Sequence, residues 1–140
     1  MKKLLLVFTL SVLTFSCSSD SDGVSINQDL VGSWSGYIAD IDCSVDLILD
    51  EDATGSVNFY GGSDCGGLSG ITWSSSSATL TINTLIESVD ENGIYVVDED
   101  GNYVYEIDEV DVFNYELNSA GDVVVVTDDE GVMTTLYLQE

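Results

Sequence analysis

The side chains of this chain that could do chemistry are carboxylates and thiols. Its 140 residues include 26 Asp and Glu, three Cys, two Lys or Arg and no His. Catalytic triads and zinc sites of the histidine type need an imidazole, and phosphoryl-transfer sites need a basic clamp, so this composition excludes all three. The two basic residues are Lys2 and Lys3. Nucleic-acid binding is excluded as well, because its affinity comes from Lys and Arg that neutralise phosphates.

Paired carboxylates are the acid–base chemistry that remains. Retaining glycosidases hold two carboxyl groups about 5 to 5.5 Å apart in a cleft. Most acidic residues here fall in apparent turns, and their abundance alone creates no such pair. We therefore expect a protein that is not an enzyme, with no catalytic residue and no cofactor. A carboxylate-based glycosidase is the rival hypothesis.

Two acidic loops could present oxygen ligands to calcium. Asp98, Asp100 and Asn102 alternate in one loop, and Asp50 and Asp52 lie in another. Neither loop has the ligand spacing and terminal Glu of an EF-hand, so solvated hairpin turns are the favoured interpretation and no metal site is predicted. The acidic residues repel one another without internal cations, which predicts diffuse binding of divalent cations and a fold that salt stabilises.

The elements that must position these residues are short segments in which apolar and polar residues alternate. Val45, Leu47 and Leu49 give one example of this period of two, which is typical of half-buried strands. The predicted strands are residues 32–39, 44–50, 55–60, 69–74, 78–83, 93–97, 102–108, 111–117, 122–127 and 132–138. The domain is therefore expected to have eight to ten strands, depending on whether neighbouring segments merge into one strand.

The connectors between these strands are short and acidic, with Gly near their ends. Such a Gly supplies the positive φ that hairpin turns with a bulge require, which indicates an antiparallel meander. Strands with one apolar face each must close into a barrel or pair as two sheets. We expect an all-β, up-and-down barrel, with a β-sandwich as the alternative because periodicity does not report strand order.

The N-terminal segment has the composition of an export signal. Lys2 and Lys3 precede an apolar run that is too short to span a bilayer, and Ser16 is the small residue before the cut. Residues 13–17 resemble the lipoprotein box of bacteria, which implies that Cys17 becomes the first residue of the mature chain and carries a lipid. Two acyl chains suffice for stable attachment to a bilayer.

The polar segment behind Cys17 predicts a tether. The predicted domains are a signal peptide at residues 1–16, an acidic Ser/Asp tether at 17–28 and a folded domain at 29–140. The tether resembles the Ser/Asp-rich stretch of surface-exported lipoproteins from Bacteroidetes-type bacteria. That resemblance implies the outer membrane or cell surface of a Gram-negative bacterium, while a plain solvated linker is the alternative.

The two cysteines within the predicted domain form an even set if Cys17 is acylated. An exported chain lies in an oxidising compartment, so we expect a disulfide between Cys43 and Cys65. A metal or redox role would need further Cys or His nearby, and the sequence has none.

Several short motifs in the predicted domain resemble the lipocalin-like domains of small bacterial lipoproteins. They are Leu-Val-Gly-Ser-Trp at residues 30–34, Ala-Thr-Gly at 53–55, Thr-Trp-Ser at 72–74 and Met-Thr-Thr-Leu-Tyr-Leu at 133–138. The resemblance covers residues 29–140 and implies a lipocalin-like barrel. One departure is the lack of the Arg that usually packs over the first-strand Trp.

Five aromatic side chains are the candidates for core or ligand contacts in that barrel: Trp34, Phe59, Trp73, Tyr105 and Phe113. The favoured interpretation of the two Trp residues is that they fill the core. Without cations in the domain, a ligand should be apolar, neutral or positively charged. The expected function is therefore a membrane-anchored, lipocalin-like binding protein, and the alternative is a surface interaction or structural module without a small ligand.

Overall fold

The protein is an antiparallel closed barrel in a computed structural model that describes residues 24–140. Its strands are β1 (Gly32–Ile38), β2 (Cys43–Leu49), β3 (Thr54–Tyr60), β4 (Gly67–Ser75), β5 (Thr79–Glu87), β6 (Tyr105–Leu117), β7 (Val123–Thr127) and β8 (Met133–Leu138). Each strand pairs with the next, and β1 pairs with β8 to close the barrel. The predicted meander is confirmed, and the sandwich alternative is wrong.

The barrel interior is filled by the inward-facing half of each alternating strand. In β2, Val45, Leu47 and Leu49 are buried, while Asp46 and Ile48 face outward. Burying one such aliphatic side chain stabilises the fold by about 1.5–3 kcal/mol. The continuous core formed in this way explains why the period of two in the sequence predicts the strands well.

A segment before β1 covers one end of the barrel, which we call the closed end. It contains a short 3-10 turn, Gln28–Leu30, and the side chain of Leu30 is 1% exposed. The indole N–H of Trp34 donates to the carbonyl oxygen of Leu30 at 2.8 Å. The amide side chain of Asn27 donates to the Tyr115 hydroxyl at 3.1 Å. These contacts hold the segment across the barrel floor.

The opposite end, which we call the open end, carries the loops 39–42, 61–66, 88–104 and 128–132. The long loop between β5 and β6 forms an exposed arm. Two turns of the arm bring Ser88, Val96 and Val104 together, where each N–H donates to the carbonyl oxygen of another: Ser88 to Val104, Val96 to Ser88 and Val104 to Val96. The three bonds measure 2.8, 2.9 and 2.9 Å.

In this region one predicted strand is wrong, and two predicted neighbours merge. Residues 93–97 form only isolated bridges, because the two tight turns leave no room for a ladder. Residues 102–108 and 111–117 are not separate strands, since one strand, β6, runs from Tyr105 to Leu117. Its register against β5 shifts between Thr84 and Leu85, so a bulge replaces the predicted break.

The turn chemistry is confirmed at several connectors and differs at one. Gly93, Gly101 and Gly131 have φ of 76°, 85° and 85°. In the connector between β2 and β3, however, the positive φ of 67° belongs to Ala53, and Gly55 is already within β3. A side chain at Gly55 would collide with the backbone of Ile48, so this glycine allows β2 and β3 to approach closely and does not form the turn.

Within residues 24–140, no helix is long and apolar enough to cross a membrane. The predicted signal peptide and Cys17 lie outside the described residues, as does most of the predicted tether.

Candidate functional site

An apolar cavity lies in the half of the barrel toward the open end. Its volume is about 90 Å³. Every strand except β4 contributes inward-facing side chains to its wall: Ile38, Val45, Leu47, Val57, Phe59, Leu80, Ile82, Phe113, Val126, Thr134 and Leu136. Thr134 is the polar residue of this lining, and the wall is otherwise made of hydrocarbon and aromatic rings.

The predicted aromatic residues divide between the cavity and the floor. Phe59 and Phe113 line the cavity and are half-buried. Trp34 and Trp73 are each 1% exposed and lie nearer the closed end. The indole N–H of Trp73 donates to the carbonyl oxygen of Asp50 at 3.1 Å, so both indoles have a backbone carbonyl as hydrogen-bond acceptor. The two Trp side chains therefore fill the closed end of the barrel, and the two Phe rings line the cavity.

Tyr105 is not part of the barrel core, and that expectation is wrong. Its side chain is 55% exposed, because β6 extends beyond the barrel wall into the arm at this point. Alternation continues through the arm, and therefore the sequence pattern does not distinguish strand inside the barrel from strand outside it.

The predicted disulfide is present at the open end. Cys43 and Cys65 are bonded, with their Cα atoms 5.8 Å apart. Cys43 begins β2 and Cys65 lies in the connector between β3 and β4. The bond therefore ties two neighbouring loops of the cavity mouth together and limits how far they separate.

A cluster of carboxylates gives the open end a negative rim. Asp111 occupies an inward register position opposite Ile82, whose side chain lines the cavity. Burial raises the pKa of Asp111, and the nearby charge of Asp129 raises that pKa further. Asp128 and Asp129 line the same groove as Asp111, between β6 and the connector from β7 to β8. A positive group at this rim would relieve repulsion that residues 24–140, which contain no Lys, Arg or His, leave uncompensated.

The acidic arm loops use their carboxylates inside the turns. The Asp98 carboxylate accepts hydrogen bonds from the backbone N–H groups of Asp100 and Asn102, both at 2.9 Å. These bonds, with those from the Asn102 side chain, lower the pKa of Asp98. Residues 24–140 contain no group of three His, Cys, Asp or Glu placed to hold a metal ion.

No protein-family model, curated protein or solved structure matches this chain. The lipocalin-like resemblance remains a prediction from the motifs.

Proposed function

We propose that this chain is a membrane-anchored, non-enzymatic, lipocalin-like protein that binds a small amphiphile. The apolar end of the ligand would enter the cavity, and a neutral or cationic head would remain at the mouth. The observation that supports this most directly is the cavity itself, whose wall is apolar apart from Thr134. Such a wall favours hydrocarbon and penalises any buried charge.

The cavity volume limits how much of a ligand can be enclosed. A cavity of about 150 Å³ holds a benzene molecule, and this one measures about 90 Å³. The space is therefore smaller than one known to hold a six-membered ring, so a short alkyl end fits inside while the remainder of a larger molecule stays outside. The disulfide between Cys43 and Cys65 keeps the mouth loops in place around the entering group.

Charge at the rim selects the head group. Asp111, Asp128 and Asp129 lie together beside the mouth, and the described residues contain no Lys, Arg or His. A fatty-acid carboxylate would meet repulsion there and find no counter-charge. A quaternary ammonium or an uncharged head meets no such penalty.

The anchored location is the part of the proposal that the sequence motif supports. Leu13, Ser16 and Cys17 occupy the positions of a lipoprotein box, and a lipid on Cys17 would attach the protein to the outer membrane or cell surface. Mass spectrometry of the protein isolated from its host tests this part separately. We expect a mature N-terminus at Cys17 with an added lipid mass, and an unmodified Met1 would refute it.

Ligand binding can be tested with three probes of one chain length: decyltrimethylammonium, decanol and decanoate, all below their micelle concentrations. Titration calorimetry should give measurable binding for the first two and at least about tenfold weaker binding for decanoate. Equal or tighter binding of decanoate would contradict the charge argument.

A matched pair of variants locates the binding within the barrel. Val126 lines the cavity, and Val125 is its neighbour on the same strand with the opposite facing. Val126→Phe fills the cavity and should abolish decanol binding, whereas Val125→Phe should leave it unchanged. Because overpacking can cost about 1–3 kcal/mol, Val57→Ile provides a milder reduction of the volume and should weaken binding by a few fold. Unchanged binding in both cavity variants would refute the site.

A surface interaction module is the second candidate function. The observation that favours it is the exposed arm and the first half of β6, residues 105–112, which lie outside the cavity and present apolar side chains to solvent.

A further inference from the structure

One edge of β6 is left open in the barrel. The strand pairs with β5 along nearly all of its length, from Tyr105 to Asn114. On its other side it pairs with β7 only from Asn114 to Leu117. Among residues 24–140, no strand pairs with this second edge over residues 105–113. The open stretch is as long as a typical β-strand of a globular protein.

The backbone of this stretch presents hydrogen-bonding groups to the open side. The Tyr115 N–H donates to the carbonyl oxygen of Ala78 at 2.9 Å, which is the direction of β5. Bonding direction alternates along a strand, so the N–H and C=O groups of Val112 and Val110 point away from β5. Their side chains are 53% and 57% exposed. An added strand could therefore bond to both residues.

The two faces of the open stretch differ in chemistry. Val112, Val110 and Ile107 are exposed on the face that is outward in the barrel, while Glu109 and Asp111 occupy the opposite face. The register shift at Thr84 and Leu85 places an extra β6 residue between Ile107 and Glu109. Ile107 therefore stays on the outward face with Val110, and Glu109 stays on the opposite face with Asp111. A strand lying on this edge would meet an apolar row on one face and an acidic row on the other.

A second copy of the chain is a poor occupant of this edge. Two such edges paired about a two-fold axis would place acidic residues against acidic residues, and like charges across a strand pair are destabilising. The described residues have no cation to offset that repulsion. Charged side chains are a common means of preventing self-association at open edges. The same charges favour a partner that carries Lys or Arg.

We propose that the open edge of β6, residues 105–113, binds an extended segment of another protein in which basic and apolar residues alternate. The segment adds as a strand to the barrel, with its apolar side chains against Val110 and Val112 and its basic side chains against Glu109 and Asp111. This inference goes beyond the amphiphile proposal, because the strand lies on the barrel exterior and leaves the cavity unoccupied.

The test uses the full chain and capped synthetic peptides as long as the open stretch. The probe alternates Lys and Val, a second peptide has the same composition in two blocks, and a third alternates Glu and Val. Fluorescence anisotropy should show the alternating Lys peptide binding about tenfold or more tightly than either control. Hydrogen exchange measured by NMR should show new protection at the amides of Val110 and Val112 when that peptide is bound.

Two kinds of variant separate strand addition from diffuse attraction. Val110→Pro removes an N–H that points to the open side, which edge strands tolerate, and should weaken binding about tenfold. Val110→Thr keeps that N–H and should bind within about twofold of the original chain. Glu109→Gln with Asp111→Asn should weaken binding about threefold or more at low salt, whereas Glu51→Gln with Glu140→Gln changes the net charge equally at the closed end and should not.

Three results would overturn the inference. The block peptide could bind as tightly as the alternating one, which would indicate attraction without strand pairing. Val110→Pro could bind normally, which would show that the edge donor is not used. Protection of Val110 and Val112 could rise with protein concentration in the absence of peptide, which would assign the edge to a second copy.

Discussion

Gly55→Ala tests whether the close approach of β2 and β3 requires the absence of a side chain. A methyl group at position 55 would lie 3.0 Å from the carbonyl carbon of Ile48 and closer still to its oxygen. These are backbone atoms of a paired strand, so they cannot rotate away as the end of a side chain would. Overpacking of this kind costs about 1–3 kcal/mol.

The matched control is Gly70→Ala on the neighbouring strand β4. No atom lies within 4 Å of a methyl group built at Gly70, and its φ is not positive. Because Gly in a strand interior loses more conformational freedom on folding, this change should stabilise the protein by about 0.5–1 kcal/mol. One substitution type, on adjacent strands, is thus expected to have opposite effects on stability.

Thermal unfolding followed by circular dichroism measures both effects. At about 2.1 cal/mol/K per residue, a domain of this size unfolds with an entropy of about 0.25 kcal/mol/K. Gly55→Ala should therefore lower Tm by about 4 to 12 °C, and Gly70→Ala should raise it by about 2 to 4 °C. If Gly55→Ala left Tm unchanged, or if both variants shifted it in the same direction, the steric argument would be refuted.

Four further outcomes follow from the structure. Reducing the Cys43–Cys65 bond, which closes a separation of 22 residues, should cost about 3 kcal/mol in urea unfolding, and equal midpoints with and without reductant would contradict this. Asp111→Asn should raise the urea midpoint at pH 7 but not at pH 3: the raised pKa of Asp111 means that folding opposes its ionisation, so the penalty is absent below the ordinary value of 3.8 and grows as pH rises through the folded pKa. Ala53→Gly should raise stability by about 0.5 kcal/mol because φ is 67° there, and a lower Tm would show that the turn is not strained. Tm should rise with NaCl and more steeply with millimolar Ca²⁺, since these ions screen or bind the uncompensated carboxylates, and flat titrations would count against self-repulsion.

The barrel was predictable from the sequence because its strands bury one face. Val45, Leu47 and Leu49 alternate with outward residues in both the sequence and the structure. The disulfide was predictable as well, because the predicted export and acylation of Cys17 would leave Cys43 and Cys65 as an even pair in an oxidising compartment. Both inferences need only local pattern and residue type.

The arm and the cavity could not be predicted in the same way. Val89-Asp90-Glu91-Asn92-Gly93 and Val97-Asp98-Glu99-Asp100-Gly101 are near-repeats eight residues apart, and this signal could have identified the two turns of the arm. Tyr105 alternates like a core residue although its strand has left the barrel. The cavity depends on how Phe59 and Phe113 pack across the interior, and periodicity contains no information about that volume.

The segment across the closed end fixes the end of the barrel at which the described chain begins. The carbonyl oxygen of Ser25 accepts from the Ser75 N–H at 2.8 Å, so the described part of the chain begins at the floor of the barrel. If Cys17 carries a lipid as proposed, the closed end is the end of the barrel that follows the anchor in the sequence, while the mouth and the arm lie at the opposite end. With the closed end toward the bilayer, the mouth would face the aqueous side. An amphiphile would then reach the cavity from solution or from a carrier protein and not directly from the membrane.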